Sequence, residues 1–185
     1  MKIHKLAIIS TLTALCIATN YALIGVPNVK PMDFIVFVGG FCFGPIVGSS
    51  VGILSWAVYG SINPYGSTPP VFFATMLGES IYGLMGGFLG KKLSSTDFDV
   101  KESRFNITFL FGVVAFISTT IYDLITNVVY SLTYGIPLLA AIILGTPFTI
   151  LHQLSNTAIF VIGSFPVIIA IEKSLGGEKF GCFTK

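Results

Sequence analysis

Three carboxylic acids interrupt long apolar stretches of this sequence: Asp33, Glu79 and Asp123. His152, Gln153, Asn127 and Asn156 do the same. An ionisable side chain at the centre of a bilayer costs about 2.5–3.5 kcal/mol on insertion scales, so each one asks for a partner or a ligand. Helical spacing sorts these residues into stripes. Thr75, Glu79 and Tyr82 follow i, i+4, i+7. Asp123, Asn127, Tyr130 and Tyr134 lie along one face, and His152 and Asn156 are one turn apart. Each stripe is edged with aromatic rings, and apolar walls with a few placed polar groups describe a small-molecule pocket. Interhelical hydrogen bonding draws on the same residue types and accounts for one of them readily. Six at a similar depth on three helices favour the pocket. Asp33, at the start of its apolar segment, either caps a helix N-terminus or joins the site.

Glu79, Asp123 and His152 could also ligate the metal of an intramembrane enzyme. That rival lacks an HExxH or paired-acid motif, and one histidine supports it thinly. No cofactor or metal is therefore expected, and the chain reads as a non-enzyme. Cys16, Cys42 and Cys182 are odd in number and form no CxxC, which fits small apolar packing and a free thiol.

The elements that position these residues are apolar helices. Hydrophobic residues make up 54% of the 185 residues and charged ones 10%. A soluble domain carries about 25% charged residues, so most of this surface faces lipid. No Asp, Glu, Lys or Arg occurs from Phe34 to Gly78 or from Leu124 to Ile171, and each stretch suits two spans. No basic patch of the nucleic-acid type is present. The reading is an all-α membrane protein with six transmembrane helices, over about 5–25, 32–43, 45–61, 71–89, 105–132 and 148–171. These form a single transmembrane domain, 1–176, followed by a cytoplasmic tail, 177–185. The first helix is retained rather than cleaved, because Leu6 to Val26 is long for a signal-peptide core. Helices 2 and 3 look short. Residues 138–147 form either an interfacial piece or the kinked start of helix 6.

Nine of the ten Lys and Arg residues fall on one side of a six-helix arrangement, and Lys30 alone falls on the other. That bias places both termini and the 91–104 segment in the cytoplasm, with loops 27–31, 62–70 and 133–137 outside. By depth, the polar residues of helices 4, 5 and 6 then converge on the outer half of the bundle.

Small residues mark close approaches. Gly44, Gly48 and Gly52 on helix 3, and Gly83, Gly86, Gly87 and Gly90 on helix 4, read as internal packing. Ser10, Ala14, Ala18 and Ala22 form a ridge along helix 1, either for internal packing or for a second membrane protein.

With six helices, both ends inside, and these motifs in order, the chain resembles the substrate-binding S-component of energy-coupling-factor transporters. The features that carry the likeness span nearly the whole chain. They are the Ala14-x-x-x-Ala18 and Ala18-x-x-x-Ala22 ladder, Phe43-Gly44-Pro45-x-x-Gly48, Asn63-Pro64-Tyr65-Gly66, Gly78-Glu79 to Gly90, and His152 to Asn156. The resemblance implies a multi-pass plasma-membrane subunit that captures a vitamin or related micronutrient from outside. It implies partners too: a transmembrane scaffold, docked on Ala14, Ala18 and Ala22, and two cytoplasmic ATPases. This chain has no GxxxxGK[ST] motif, consistent with ATP being handled elsewhere. Outer loops would gate the pocket, which adds Asn28, Asn63 and Tyr65 to Glu79, Asp123, Asn127, His152, Asn156, Asp33 and Tyr82 as substrate-binding candidates. Two acids suit a ligand with a cationic or hydrogen-bond-donating group, such as a thiamin-like, cobalamin-like or nitrogen-heterocycle compound. A stand-alone solute carrier is the remaining alternative.

Overall fold

A computed structural model describes residues 3–64, 66–93 and 101–174. Tyr65, residues 94–100 of the hydrophilic 91–104 segment, Cys182 and the 177–185 tail lie outside the described residues. The six helices are α1 (Ile3–Ala22), α2 (Pro31–Phe43), α3 (Pro45–Ile62), α4 (Pro69–Leu93), α5 (Lys101–Tyr134) and α6 (Leu138–Ser174). Five are long and apolar enough to cross a membrane, and α2, with 13 residues, is shorter. The protein is thus an all-α membrane bundle.

Proline opens three of these helices, at Pro31, Pro45 and Pro69, where its missing N–H has no helical partner to lose. Inside α6 the same residue breaks nothing. Pro147 and Pro166 both sit within one continuous 37-residue helix, so 138–147 is the start of α6. A membrane helix tolerates proline because neighbouring groups, and not bulk water, satisfy the freed carbonyl. The α4 helix also continues past Leu89 through Lys91 and Lys92 to Leu93, as long basic side chains reach the surface while their backbone stays helical.

Short α2 is wrapped by α1, α3, α4 and α6. Its residues Val36 to Cys42 are all buried. Glycine permits this enclosure. A Cβ on Gly48 of α3 would lie 2.5 Å from Gly40 Cα of α2 and 2.8 Å from Gly83 Cα of α4. Three backbones therefore meet where side chains would hold them apart. Beside that meeting point Phe37, Phe41, Phe111 and Phe160 fill the core with tilted and edge-to-face rings. On α1, Ile9, Thr13, Cys16 and Asn20 are buried, whereas Ser10, Ala14, Ala18 and Ala22 face outward, uncovered by the bundle.

Candidate functional site

The polar stripes meet as a buried network between α2, α4, α5 and α6. His152 is its centre. Its Nε2 lies 2.7 Å from Asp33 Oδ2 and its Nδ1 lies 2.9 Å from Asp123 Oδ1. A carboxylate only accepts, so both contacts are N–H···O bonds when the ring carries two protons. One turn on, Asn156 Nδ2 donates to Asp33 Oδ2 at 2.6 Å and to Thr119 Oγ1 at 2.9 Å. Those bonds use both of its protons. Tyr82 donates its own hydroxyl to Thr119 Oγ1 at 2.9 Å. Asp33, Glu79, His152 and Asn156 are all fully buried. Such a network ties α2 to α5 and α6, and it is costly unless its members stay paired.

Asp33 is the third residue of α2, and no side chain caps that helix. Its carboxyl turns inward to His152 and Asn156 while it stays in the first turn of α2, where the helix dipole favours an acid, so it joins the network without forming a cap hydrogen bond. Asn127 does not join the network either. It donates to the Asp123 carbonyl at 2.8 Å in its own helix, and its amide packs where a Cβ on Gly145 would come within 2.5 Å. It occupies a close α5–α6 crossing.

Above the network, at the end that the charge bias assigns to the outside, lies a cavity of about 430 Å³. Its walls are Asn20 at the end of α1, the turn that follows (Leu23, Ile24 and Val26 to Lys30), Trp56, Tyr59 and Asn63 at the end of α3, and Phe148 of α6. Asn28 and Asn63, both expected from the sequence, are in this wall. Asn28 takes φ 54°, which asparagine accepts more readily than most residues, and its Nδ2 donates to the Phe148 carbonyl at 3.1 Å. Ser155 donates to the Asn28 carbonyl at 3.3 Å. The α1–α2 turn is thereby fastened across the mouth to α6.

Glu79, Asp123, His152, Asn156, Asp33 and Tyr82 do not line this cavity; they lie behind it. Two side chains connect the levels. Trp56, in the cavity wall, donates its indole N–H to Glu79 Oε2 at 3.0 Å. Lys30, also in the wall, holds its ammonium 5.2 Å from the Trp56 ring centroid and 5.1 Å from that of Tyr122. The Tyr122 ring stands edge-on to His152, at 5.7 Å between centroids. Gly78 makes room for it, since a Cβ there would lie 2.8 Å from Tyr122 Cδ2.

Sequence reasoning missed Asn20, Lys30, Trp56, Tyr59 and Phe148 in the wall, and Thr119 and Tyr122 behind it. Signals existed for three of them. Lys30 is the lone cation on the outer side, Trp56 is the single tryptophan, and Asn20 is the one amide within the first helix.

Among the described residues, no group of three His, Cys, Asp or Glu side chains is arranged to hold a metal ion. Asp33 and Asp123 occupy opposite nitrogens of the one imidazole ring. The geometry combines a half-open, mostly apolar cavity with a buried polar network behind it, which suits binding and orienting a small molecule. Against known proteins, the family model for the substrate-specific component of ECF transporters matches residues 4–172. No solved structure matches the chain.

Proposed function

This chain belongs to the family of ECF transporter substrate-specific components, and from that premise we propose that it captures a vitamin or related micronutrient outside the cell for ATP-driven uptake. As a member of that family it is a multi-pass plasma-membrane protein and a substrate-binding transport subunit. The observation that carries the finer reading is the 430 Å³ cavity at the outward end, walled by Trp56, Tyr59 and Phe148 and touched by Asn20, Asn28 and Asn63. That volume falls within the range of about 300–1,000 Å³ common to small-molecule sites. It suits a vitamin-sized ring compound.

The proposed partners are a transmembrane scaffold and two cytoplasmic ATPases. Support for scaffold docking comes from α1. Its small-residue ridge, Ala14, Ala18 and Ala22, faces away from the bundle, while its other face holds the core residues Ile9 and Cys16. A ridge of small side chains lets a second helix approach closely in lipid. Glu79, Asp123, His152 and Asn156 act in this reading as the polar floor that keeps the cavity in shape.

Native mass spectrometry of gently purified protein against a vitamin panel tests the reading. One retained compound, lost on Trp56→Ala and on Asn20→Leu in folded protein, is the expected result. No retained compound from any class, with thermal stability unchanged across the panel, would sink it.

A further inference from the structure

Two side chains in the cavity wall have hydrogen-bonding capacity that a ligand could fill: the Lys30 ammonium, held by ring faces and by the field of the Asp33 and Glu79 carboxyls, and the Asn20 side-chain oxygen. Resting on the proposal that the cavity takes the substrate, we infer that the substrate carries a single carboxylate, received by Lys30. Its body is apolar and ring-bearing, with a hydrogen-bond donor received by Asn20.

Of the described residues lining the cavity, Lys30 alone bears a formal charge. Its ammonium rests between the Trp56 and Tyr122 rings. Ring faces attract a cation but accept none of its three N–H donors in the geometry an oxygen offers. No hydrogen-bonded acceptor accompanies these ring contacts among the described residues. A carboxylate entering the cavity supplies that acceptor with the opposite charge, at a wall otherwise apolar or amide, where pairing is little weakened by water.

One negative charge is the most this wall receives. The Lys30 ammonium already stands in the field of the Asp33 and Glu79 carboxyls, and a dianionic phosphate would set a second charge against them in a largely apolar enclosure. Those acids are sealed from the cavity, so they do not call for a cationic ligand in contact with them.

Asn20 supplies the second requirement. It is 4% exposed and lines the cavity. Its Nδ2 contacts Met32 Sδ at 3.8 Å, and its Oδ1 has no donor among the described residues. A buried amide oxygen without a donor is costly, and a ligand N–H or O–H would complete it. Trp56 and Tyr59, edge-to-face at 5.3 Å, give the ring of such a ligand an aromatic wall.

The test uses the protein's own reporter. Trp56 is the single tryptophan of the chain, so its fluorescence reads the cavity directly. Three probes share one ring and one hydroxyl donor and differ in charge: para-hydroxyphenylacetate, its neutral amide, and tyramine. The carboxylate is expected to shift Trp56 emission at a concentration about tenfold lower than the amide, and tyramine to be weakest. Lys30→Met should erase that order, and Lys30→Arg should restore it. Asn20→Leu should weaken carboxylate and amide alike. Tyramine binding best, Lys30→Met leaving the order intact, or no response to any of the three would overturn the inference. A cationic or neutral vitamin retained in the mass-spectrometry panel would overturn it while leaving solute capture standing. Silence in both experiments would remove both.

Discussion

The indole nitrogen of Trp56 donates to Glu79 Oε2 at 3.0 Å, across the boundary between the outward cavity and the buried network. Trp56 is 6% exposed and Glu79 is fully buried. The pair fixes the indole plane against the floor and satisfies one carboxyl oxygen that has no access to water. Any change in the cavity wall that moves Trp56 is therefore felt by Glu79.

That bond predicts an asymmetry. Trp56→Phe keeps a ring and removes the donor, leaving the Glu79 carboxyl without its bond at a cost of about 1–3 kcal/mol. Glu79→Gln keeps an acceptor for the indole and should cost less. Thermal unfolding of the two variants and of the double variant in lipid nanodiscs measures this. Equal losses, strictly additive in the double variant, would show that the bond contributes nothing.

A second prediction concerns His152. Replacing it with Ala removes the ring that separates Asp33 from Asp123 and leaves a buried oxygen of each without its contact, at a cost of about 1–3 kcal/mol apiece. The effect of Asp123→Asn should be smaller, because the amide still offers an oxygen to Nδ1, and Asp123 itself is 7% exposed. Folded yield after solubilisation and unfolding temperature should rank wild type, Asp123→Asn, His152→Ala in descending order. His152→Ala unfolding at the wild-type temperature contradicts the pairing.

Much of this arrangement was legible in the sequence, and the remainder was hidden for identifiable reasons. The helical period placed Glu79 with Tyr82 and His152 with Asn156 on shared faces, and the bundle turns both pairs inward. The glycine spacing marked internal close packing, and the bundle places Gly48 and Gly83 against each other between α3 and α4. Periodicity assigns a face but not the neighbour's rotation, so it did not separate residues that line a cavity from residues sealed behind it. Asn127 shares a stripe with Asp123, yet its amide meets Gly145 on α6. Lys30 stood out only as an exception to the charge bias. Its role depends on Trp56 and Tyr122, which are 26 and 92 positions away in the chain and come together only in the packed bundle. Proline left the start of α6 open as well. Pro147 would break or kink a helix in water, and the sequence offers no sign that α6 runs through it.

The glycine contacts make a third prediction with an internal control. A methyl at Gly48 would collide with the backbones of both α2 and α4, which have no flexible end to move aside. Gly48→Ala should lose folded protein outright or unfold several degrees earlier, as overpacking costs about 1–3 kcal/mol or more. A methyl at Gly25 meets nothing within 4 Å. Gly25→Ala should match wild type. Comparable behaviour of the two would refute the backbone-on-backbone packing of α2, α3 and α4.

The exposed ridge on α1 carries the last prediction, because it separates substrate capture from assembly. Ala18 faces outward from the bundle, and Cys16 and Asn20, at either side of it in the sequence, are buried. Ala18→Leu therefore adds bulk where only a second helix would notice. If the ridge receives the scaffold, this variant should co-purify with the membrane scaffold and its ATPases at a small fraction of the wild-type yield. It should still retain the same vitamin with unchanged affinity, since the cavity begins at Asn20 and beyond. Substituting Leu15, also exposed but off the ridge, with Ala should leave both properties intact. Full recovery of the complex with Ala18→Leu would move the docking surface elsewhere, with the lipid-facing sides of α5 and α6 next in line. Loss of vitamin binding in the same variant would mean instead that α1 packing, and not docking, sets the shape of the cavity.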